Sequence, residues 1–509
     1  MTTKVKISEW IRKVVFVAAP FISAAILLFA ELDDQQPAAT YTLAVAVLMA
    51  LWWITEVVPL AITSLLPVLL FPALGIMRGI EVSATYFNHV IFLFIGGFLV
   101  ALAIQKWNLH RRIALYILRK IGVSSGRILL GFMFTSAFLS MWISNTATAM
   151  LMMPILLAII YKMEEKHGPE RVKKISVGLL LSIAYGCSIG GIATLVGTPP
   201  NLSFVRIFQI YFPQAPEISF AGWFFYAFPI TVVMFLVVWL YIYFLYLKQD
   251  PKISPLDSRE IVKDNQALGP MSYEEKVLSG IFVLLALLWF FRSDIELGSI
   301  VIPGWSNLFA YPQYLNDGTV AIFIAIVLFL IPSKQQRGKY LMDWKTAEDL
   351  PWEVILLFGG GFALASGFKE SGLSQWFGEQ LVWLKDVHPI IIIVSIAFMI
   401  TFLTEITSNT ATVETILPVL AGLSVSIETN PLLFMLPATI AGSLAFMLPV
   451  ATPPNAIVFG SKRLTILQMA RAGFALNIIG VVVVTVLTYF LAVAVFNIDT
   501  GVFPEWARI

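Results

Sequence analysis

Long apolar runs, separated by short polar and basic segments, fill most of the chain. A spanning helix needs roughly 20 mainly apolar residues. Runs of about that length lie near 14–31, 39–57, 60–76, 89–105, 175–196, 222–247, 276–292, 318–332, 354–369, 431–450 and 472–496, which predicts eleven spans. Two further apolar stretches, 128–161 and 389–427, have a different pattern. Each carries three small polar residues at its middle, Ser144-Asn145-Thr146 and Ser408-Asn409-Thr410. The 34 residues of the first are too few for two full spans of ~20 each. A re-entrant hairpin that turns at the tripeptide is the simple solution. Exposed backbone at that depth is tolerated only where protein or a water-filled cavity surrounds it, so both tripeptides are expected to line a cavity. The expected fold is an all-α polytopic membrane protein with about eleven transmembrane helices and two re-entrant hairpins.

Composition agrees with that pattern. Hydrophobic residues make up 59% of the 509 and charged residues 13%, against about 25% charged in a soluble domain. The formal net charge of +2 says nothing about partners, and no nucleic-acid signature is present. A single cysteine, Cys187, excludes a disulfide within the chain. The basic start leads straight into a first span, so no cleavable signal is expected. Of the 33 Lys and Arg, 27 fall in segments 1–13, 106–127, 162–174, 248–276, 333–345 and 462–471. Basic residues favour the cytoplasmic side. The expected orientation is therefore N-terminus inside and C-terminus outside, in a plasma membrane, with a bacterial inner membrane as the expected setting. Both flanks of 128–161 are basic, which places both ends of that hairpin inside; 389–427 should begin and end outside.

The chain also repeats itself. Phe94–Phe98 reads FIGGF and Phe358–Phe362 reads FGGGF. SNTATAMLMMPIL from Ser144 returns 264 positions later as SNTATVETILPVL from Ser408. GTPPN at Gly197–Asn201 returns as ATPPN at Ala451–Asn455. Residues 1–38 form an extra span, 39–247 a first repeat, 248–275 a cytoplasmic linker and 276–509 a second repeat. Each repeat holds five spans and a hairpin, and an odd number of spans inserts the second upside down. Inverted repeats around a midplane site are the layout of secondary transporters. Each Thr-Pro-Pro ends its helix, because proline lacks the donor and clashes with the preceding turn. The helix breaks at 197–201 and 451–455 leave backbone carbonyls and amides to be satisfied by other partners.

The polar groups at these four places are oxygen-rich and uncharged. Hydroxyls, amides and half-helix N-termini suit an anion; free carbonyls with Ser, Thr and Asn oxygens suit a small hard cation such as sodium. No Lys or Arg lies in the central parts of these elements, so a bound anion needs bound cations to offset its charge. No Gly-x-x-x-x-Gly-Lys phosphate loop occurs.

The two SNT motifs, the two TPPN motifs and WWITEVVPLAITSLLPVLLFPALGI at Trp52–Ile76 resemble the divalent anion/sodium symporter family, and the resemblance runs over nearly the whole chain. It implies sodium-coupled symport of C4-dicarboxylates such as succinate, malate or fumarate. A sodium-independent exchanger and a citrate or sulfate carrier remain the alternatives within the family. It implies a homodimer with a scaffold domain and a transport domain that moves like an elevator. It places substrate on Ser144, Asn145, Thr146, Ser408, Asn409, Thr410, Thr452 and Pro453. One sodium ion would lie on Ser140, Ser144, Asn145 and the Gly197 carbonyl. The second would lie on Thr404, Asn409 and carbonyls near Ala451 and Pro453. Sodium would be the coupling ion, a di- or tricarboxylate anion the cargo, and the lipid bilayer the surroundings. A membrane enzyme would need a nucleophile with its base or a metal cluster, and neither is found. An anion channel is the other class with opposed re-entrant loops. Glu414 stands where the first repeat has Met150, with Glu405 its expected neighbour on the other hairpin arm. A carboxyl at membrane depth is a functional hypothesis by default. The four histidines are read as interfacial or solvated, and the run 108–121 as an amphipathic helix on the inner surface.

Overall fold

The computed structural model describes residues 9–33, 36–122, 125–248, 268–297 and 300–508. Most of the expected linker, 249–267, lies outside the described residues. In the first half the helices are α1 Glu9–Phe29, α2 Pro37–Thr55, α3 Leu60–Thr63, α4 Leu66–Ala73, α5 Gly79–Thr85, α6 His89–Lys106, α7 Leu109–Ile121, α8 Ser125–Ser140, α9 Asn145–His167, α10 Pro169–Gly191, α11 Pro199–Tyr211 and α12 Phe220–Ile242. In the second half they are α13 Tyr273–Phe290, α14 Asp317–Leu330, α15 Trp344–Ala347, α16 Trp352–Glu370, α17 Leu373–Gln380, α18 Pro389–Leu403, α19 Asn409–Ser426, α20 Leu432–Ala441, α21 Pro453–Phe459 and α22 Ile466–Val495.

Most boundaries follow capping chemistry. Asn88 accepts from the amides of Val90 and Ile91 and starts α6. Ser272 and Glu275 form a reciprocal capping box at the start of α13; such a pair satisfies two orphan donors at once. Gly168 closes α9 at φ +82° and Pro169 opens α10, the usual division of labour between glycine after a helix and proline at a start.

Two expected spans are shorter or more broken than their hydropathy suggests, and a third is shifted toward the N-terminus. The run 60–76 is two short helices, α3 and α4, parted at Ser64 and Leu65 ahead of Pro67. The run 431–450 keeps helix only to Ala441 and then runs irregularly to Thr452. The run 175–196 starts early, at Pro169, and stops at Gly191. Among the described residues seven helical stretches are long and apolar enough to cross a membrane by themselves, and five more are apolar but shorter. Hydropathy records apolar length; it does not record where the hydrogen-bond ladder breaks. The loop between α13 and α14 also holds a small antiparallel pair, β1 Ile295–Leu297 and β2 Ile300–Ile302, which an all-α reading did not include.

The halves interlock by exchange. The FIGGF helix α6 packs on α14, the second span of the other half, and the FGGGF helix α16 packs on α3, α4 and α5. The same glycine of each motif makes the approach. A Cβ at Gly96 would lie 2.6 Å from the backbone of Ala321; one at Gly360 would lie 2.5 Å from the Ser64 carbonyl. Small residues let membrane helices approach this closely. The broken helices exchange in the same way, with α21 packed on α9 and α11 packed on α19. Each hairpin thus meets the far end of the other half's broken helix.

Candidate transport site

The first hairpin turns through Met141–Ser144, between α8 and α9. Ser144 is the N-cap of α9, and its hydroxyl accepts from the Ala147 amide at 3.2 Å. Asn145 is the first helical residue, and its Oδ1 takes the hydroxyl of Ser140, the last residue of α8. The second hairpin matches it: Thr404 Oγ1 reaches Asn409 Oδ1 at 2.6 Å. Thr404 Oγ1 also lies 3.1 Å from the Gly442 carbonyl. A hydroxyl has one proton for these two acceptors, so one of the two oxygen pairs has no hydrogen between its members. Oxygens gathered without hydrogens form the donor set of a hard cation.

The helix breaks bring their carbonyls to the same places. Gly191 lies against both Asn145 and Gly197: a Cβ there would be 2.8 Å from Asn145 Oδ1 and 3.2 Å from the Gly197 carbonyl oxygen. Ser140, Asn145 and Gly197, three of the expected first-ion ligands, are therefore together. Ser144 is occupied as a helix cap. In the second half Thr404 and Asn409 are together, but the carbonyl that Thr404 meets belongs to Gly442 rather than to Ala451 or Pro453. Thr198 and Thr452 are the N-caps of α11 and α21, with Pro199 and Pro453 as first helical residues. Thr452 Oγ1 accepts from the Asn455 amide at 3.3 Å. Thr146, Ser408 and Asn409 are half-buried, while Thr410 is buried. Among these described residues none is a Lys or Arg.

Two asparagines that the motif reading left among the general oxygen-bearing groups have a defined structural task. Asn201 Nδ2 donates to the carbonyls of Gly191 at 3.2 Å and Thr194 at 2.7 Å. Asn455 Nδ2 donates to Ala445 at 3.2 Å and Leu448 at 3.0 Å. Those are the residues ten and seven positions earlier in both cases. Both side chains are wholly buried. Each asparagine ties down carbonyls of its own unwound segment, so the remaining carbonyls keep fixed directions. The duplicated TPPN carried the signal: its asparagine repeats with the prolines.

The carboxylates depart from expectation. Glu405 does not face Glu414. It takes the amides of Phe446, Met447 and Leu448 at 2.7, 2.9 and 3.0 Å, and Asn477 Nδ2 at 2.8 Å. It therefore caps the unwound stretch between α20 and α21. Its counterpart Met141 has no carboxylate to offer, and its carbonyl receives the Thr194 hydroxyl. Glu414 reaches across the halves to Ser203 on α11, whose hydroxyl donates to Oε1 at 2.8 Å. Three unpaired amides at a helix break attract a carboxylate whatever hairpin it sits on, and sequence spacing cannot show where they lie.

The surrounding ties are ionic and peripheral. Arg463 beyond α21 pairs with Glu164 of α9 through both guanidinium nitrogens. Arg112 of α7 pairs with Glu275 at 2.7 Å and donates to the Gly269 carbonyl at 2.9 Å, docking the amphipathic helix on the start of α13. Lys106 meets Asp343 at 2.7 Å and holds its carboxyl down at about 2.

The match of a whole-chain family model decides the lineage. Residues 8–496 fit the model described as the sodium:sulfate symporter transmembrane region. The chain belongs to this family of divalent anion:sodium symporters. Its relatives include the sodium-dependent dicarboxylate transporter SdcS of Staphylococcus saprophyticus, 45% identical over 95% of this chain and 92% of the relative. The transporter of the same name from Staphylococcus aureus strain MRSA252 is 44% identical over the same shares. Among solved structures, the Alcanivorax borkumensis YdaH transporter matches with TM-score 0.55 at 14% identity, over 84% of this chain and 89% of its own. Neisseria gonorrhoeae MtrF matches with TM-score 0.53 at 13% identity, over 80% and 82%. Both of these likenesses concern the fold. The family member described here is a membrane transporter.

Proposed function

We infer that this symporter carries C4-dicarboxylates coupled to sodium. The observation that carries the reading is the pair of oxygen clusters, Ser140–Asn145–Gly197 and Thr404–Asn409–Gly442, at hairpin turns and helix breaks (140–148, 191–201, 404–412 and 442–455) that hold no Lys or Arg. Each cluster suits one sodium ion, and the two ions supply the positive charge that a dianion between the hairpin tips requires. Amide and hydroxyl donors of Asn145, Thr146, Asn409, Thr410 and Thr452 would then grip the carboxylates. The relatives named above as sodium-dependent dicarboxylate transporters point to the same cargo.

The hairpins are read as re-entrant from opposite sides, with the N-terminus cytoplasmic. The two hairpins and the two broken helices form the moving body, while α2–α6 and α13–α16 form the fixed body of a homodimer. The exchanged packing of hairpins on broken helices favours this division, because those elements hold one another across the repeats. The test is uptake of radiolabelled succinate into proteoliposomes. Saturable uptake that needs an inward sodium gradient, with unlabelled malate and fumarate as better competitors than sulfate or citrate, is expected. Uptake indifferent to sodium, or flux that does not saturate, overturns it.

A further inference from the structure

The two hairpins are alike in sequence and unlike in cover. On α19 the face carrying Thr410, Ala411 and Glu414 is shut: the three are 7%, 4% and 0% exposed. Their counterparts on α9 are Thr146 and Ala147, half-buried, and Met150, 62% exposed. The cover over the second hairpin comes from the other body. Ala411 shares an apolar cluster with Trp53 of α2, Phe71 of α4, Val82 of α5 and Phe368 of α16. Gly361 of α16 lies directly on the Glu414 carboxyl, in space a Cβ would occupy. Gly97, the counterpart of Gly361, lies instead near Val196 and Trp289, and nothing equivalent sits on Met150.

Two inverted halves with unequal packing describe one end of an alternating cycle, and exchanging the packing between halves describes the other. On the elevator reading proposed above, the face of the first hairpin is open to the cytoplasm here. After the exchange Met150 would take a buried seat and Glu414 an exposed one on the outer side. The two residues respond oppositely to that move. A methionine gains by burial. Glu414 is poorly seated: Ser203 serves Oε1, while Oε2 is buried without a partner. One hydroxyl returns less than burying a carboxyl oxygen costs.

We propose that Glu414 is a spring: its burial between Ser203 and Gly361 with one carboxyl oxygen left without a partner opposes the inward-open state, and its release to water drives the carrier back to outward-open. The residue at this place sets how the cycle divides between the two states, and it does so without touching substrate or sodium. Glu414→Met, which copies the first half, removes the opposing term and shifts the population inward. Ser203→Ala removes the one donor and shifts it outward. Glu414→Gln keeps a polar group in the same seat and stays near the parent.

The experiment uses the full chain in right-side-out and inside-out vesicles, in a Cys187→Ala background, with a membrane-impermeant maleimide. Met150→Cys reports the inner face and Ala411→Cys the outer one. With Glu414 present, Met150→Cys is expected to label only from the cytoplasmic side and Ala411→Cys only from the outside. Adding Glu414→Met should slow the outer labelling about tenfold and speed the inner labelling; Ser203→Ala should change both in the opposite sense. If the reporters do not separate by side, the elevator reading itself fails. If they separate but Glu414→Met and Ser203→Ala leave both rates unchanged, the spring is refuted and the elevator reading stands.

Discussion

Asn145 and Asn409 each bind one end of a hairpin to its other arm, through Ser140 and Thr404. Each is also within reach of both proposed cargoes, cation and anion. Asn145→Ala and Asn409→Ala are therefore expected to abolish nearly all uptake in folded protein, more than the ~1 kcal/mol of an ordinary hydrogen bond. Wild-type uptake and an unaltered sodium response in either variant would remove the residue from the site. Asn201 and Asn455 act one step back, by fixing the carbonyls of the breaks. Asn201→Ala and Asn455→Ala should raise the sodium concentration needed for half-maximal uptake by roughly 5- to 10-fold, the equivalent of about 1–1.5 kcal/mol. The maximal rate should fall less. A sodium titration of uptake at saturating succinate separates this from simple misfolding.

At the scale of elements, glycine placement and ionic ties make separate demands. Gly96 and Gly360 sit where α6 meets α14 and α16 meets α3, against backbone that cannot yield. Gly96→Ala and Gly360→Ala should each destabilise the detergent-solubilised protein by about 1–3 kcal/mol through overpacking. Gly97→Ala is the control, since its nearest neighbour would be Val196 at 3.4 Å. Melting curves that rank Gly97→Ala with the other two would sink the account of the double glycine. The Lys106–Asp343 tie makes a pH prediction. The Asp343 carboxyl is lowered from 3.8 to about 2, with the Lys106 ammonium as the first cause. A lowered carboxyl stabilises the fold above its unfolded value and loses that effect as pH falls toward its folded value. The melting difference between wild type and Asp343→Asn should be constant above about pH 5 and shrink from pH 4 to pH 2. A difference that persists at pH 2 assigns the tie's effect to packing.

At the scale of the whole molecule, the inverted design proposed above requires the two hairpins to open on opposite sides of the membrane. Glu170, 88% exposed just after the first hairpin, and Glu428, 64% exposed just after the second, are suitable reporters. In the Cys187→Ala background, Glu170→Cys should label from the cytoplasmic side and Glu428→Cys from the outside. Labelling of both from one side would leave the halves parallel and the repeat without its inversion. The contacts show that the two halves interlock: α6 on α14 and α16 on α3, α9 on α21 and α19 on α11. A chain whose halves folded separately would pack each motif within its own half.

The amino-acid sequence was sufficient for membrane class, for the repeat and for the four motifs. These follow from length, hydropathy and recurrence, which are local properties of the chain. Through the family resemblance it also put Ser140 with Asn145 and Thr404 with Asn409, and residues five apart across a tight turn stay close in any fold. The rest depended on contacts between residues far apart in sequence. That Asn201 and Asn455 hold their own breaks was visible only once the backbone bent back ten residues. That Glu405 caps Phe446–Leu448 while Glu414 meets Ser203 depends on which hairpin lies on which broken helix. The loss of helix at Ser64–Leu65 and after Ala441 has the same cause: apolar composition favours burial equally in straight and broken segments, and only packing against neighbours decides which carbonyls remain free. Met150 and Glu414 occupy equivalent positions in the repeat, yet one is open and the other covered, because Gly361 of α16 lies on Glu414 whereas its counterpart Gly97 of α6 lies near Val196 and Trp289.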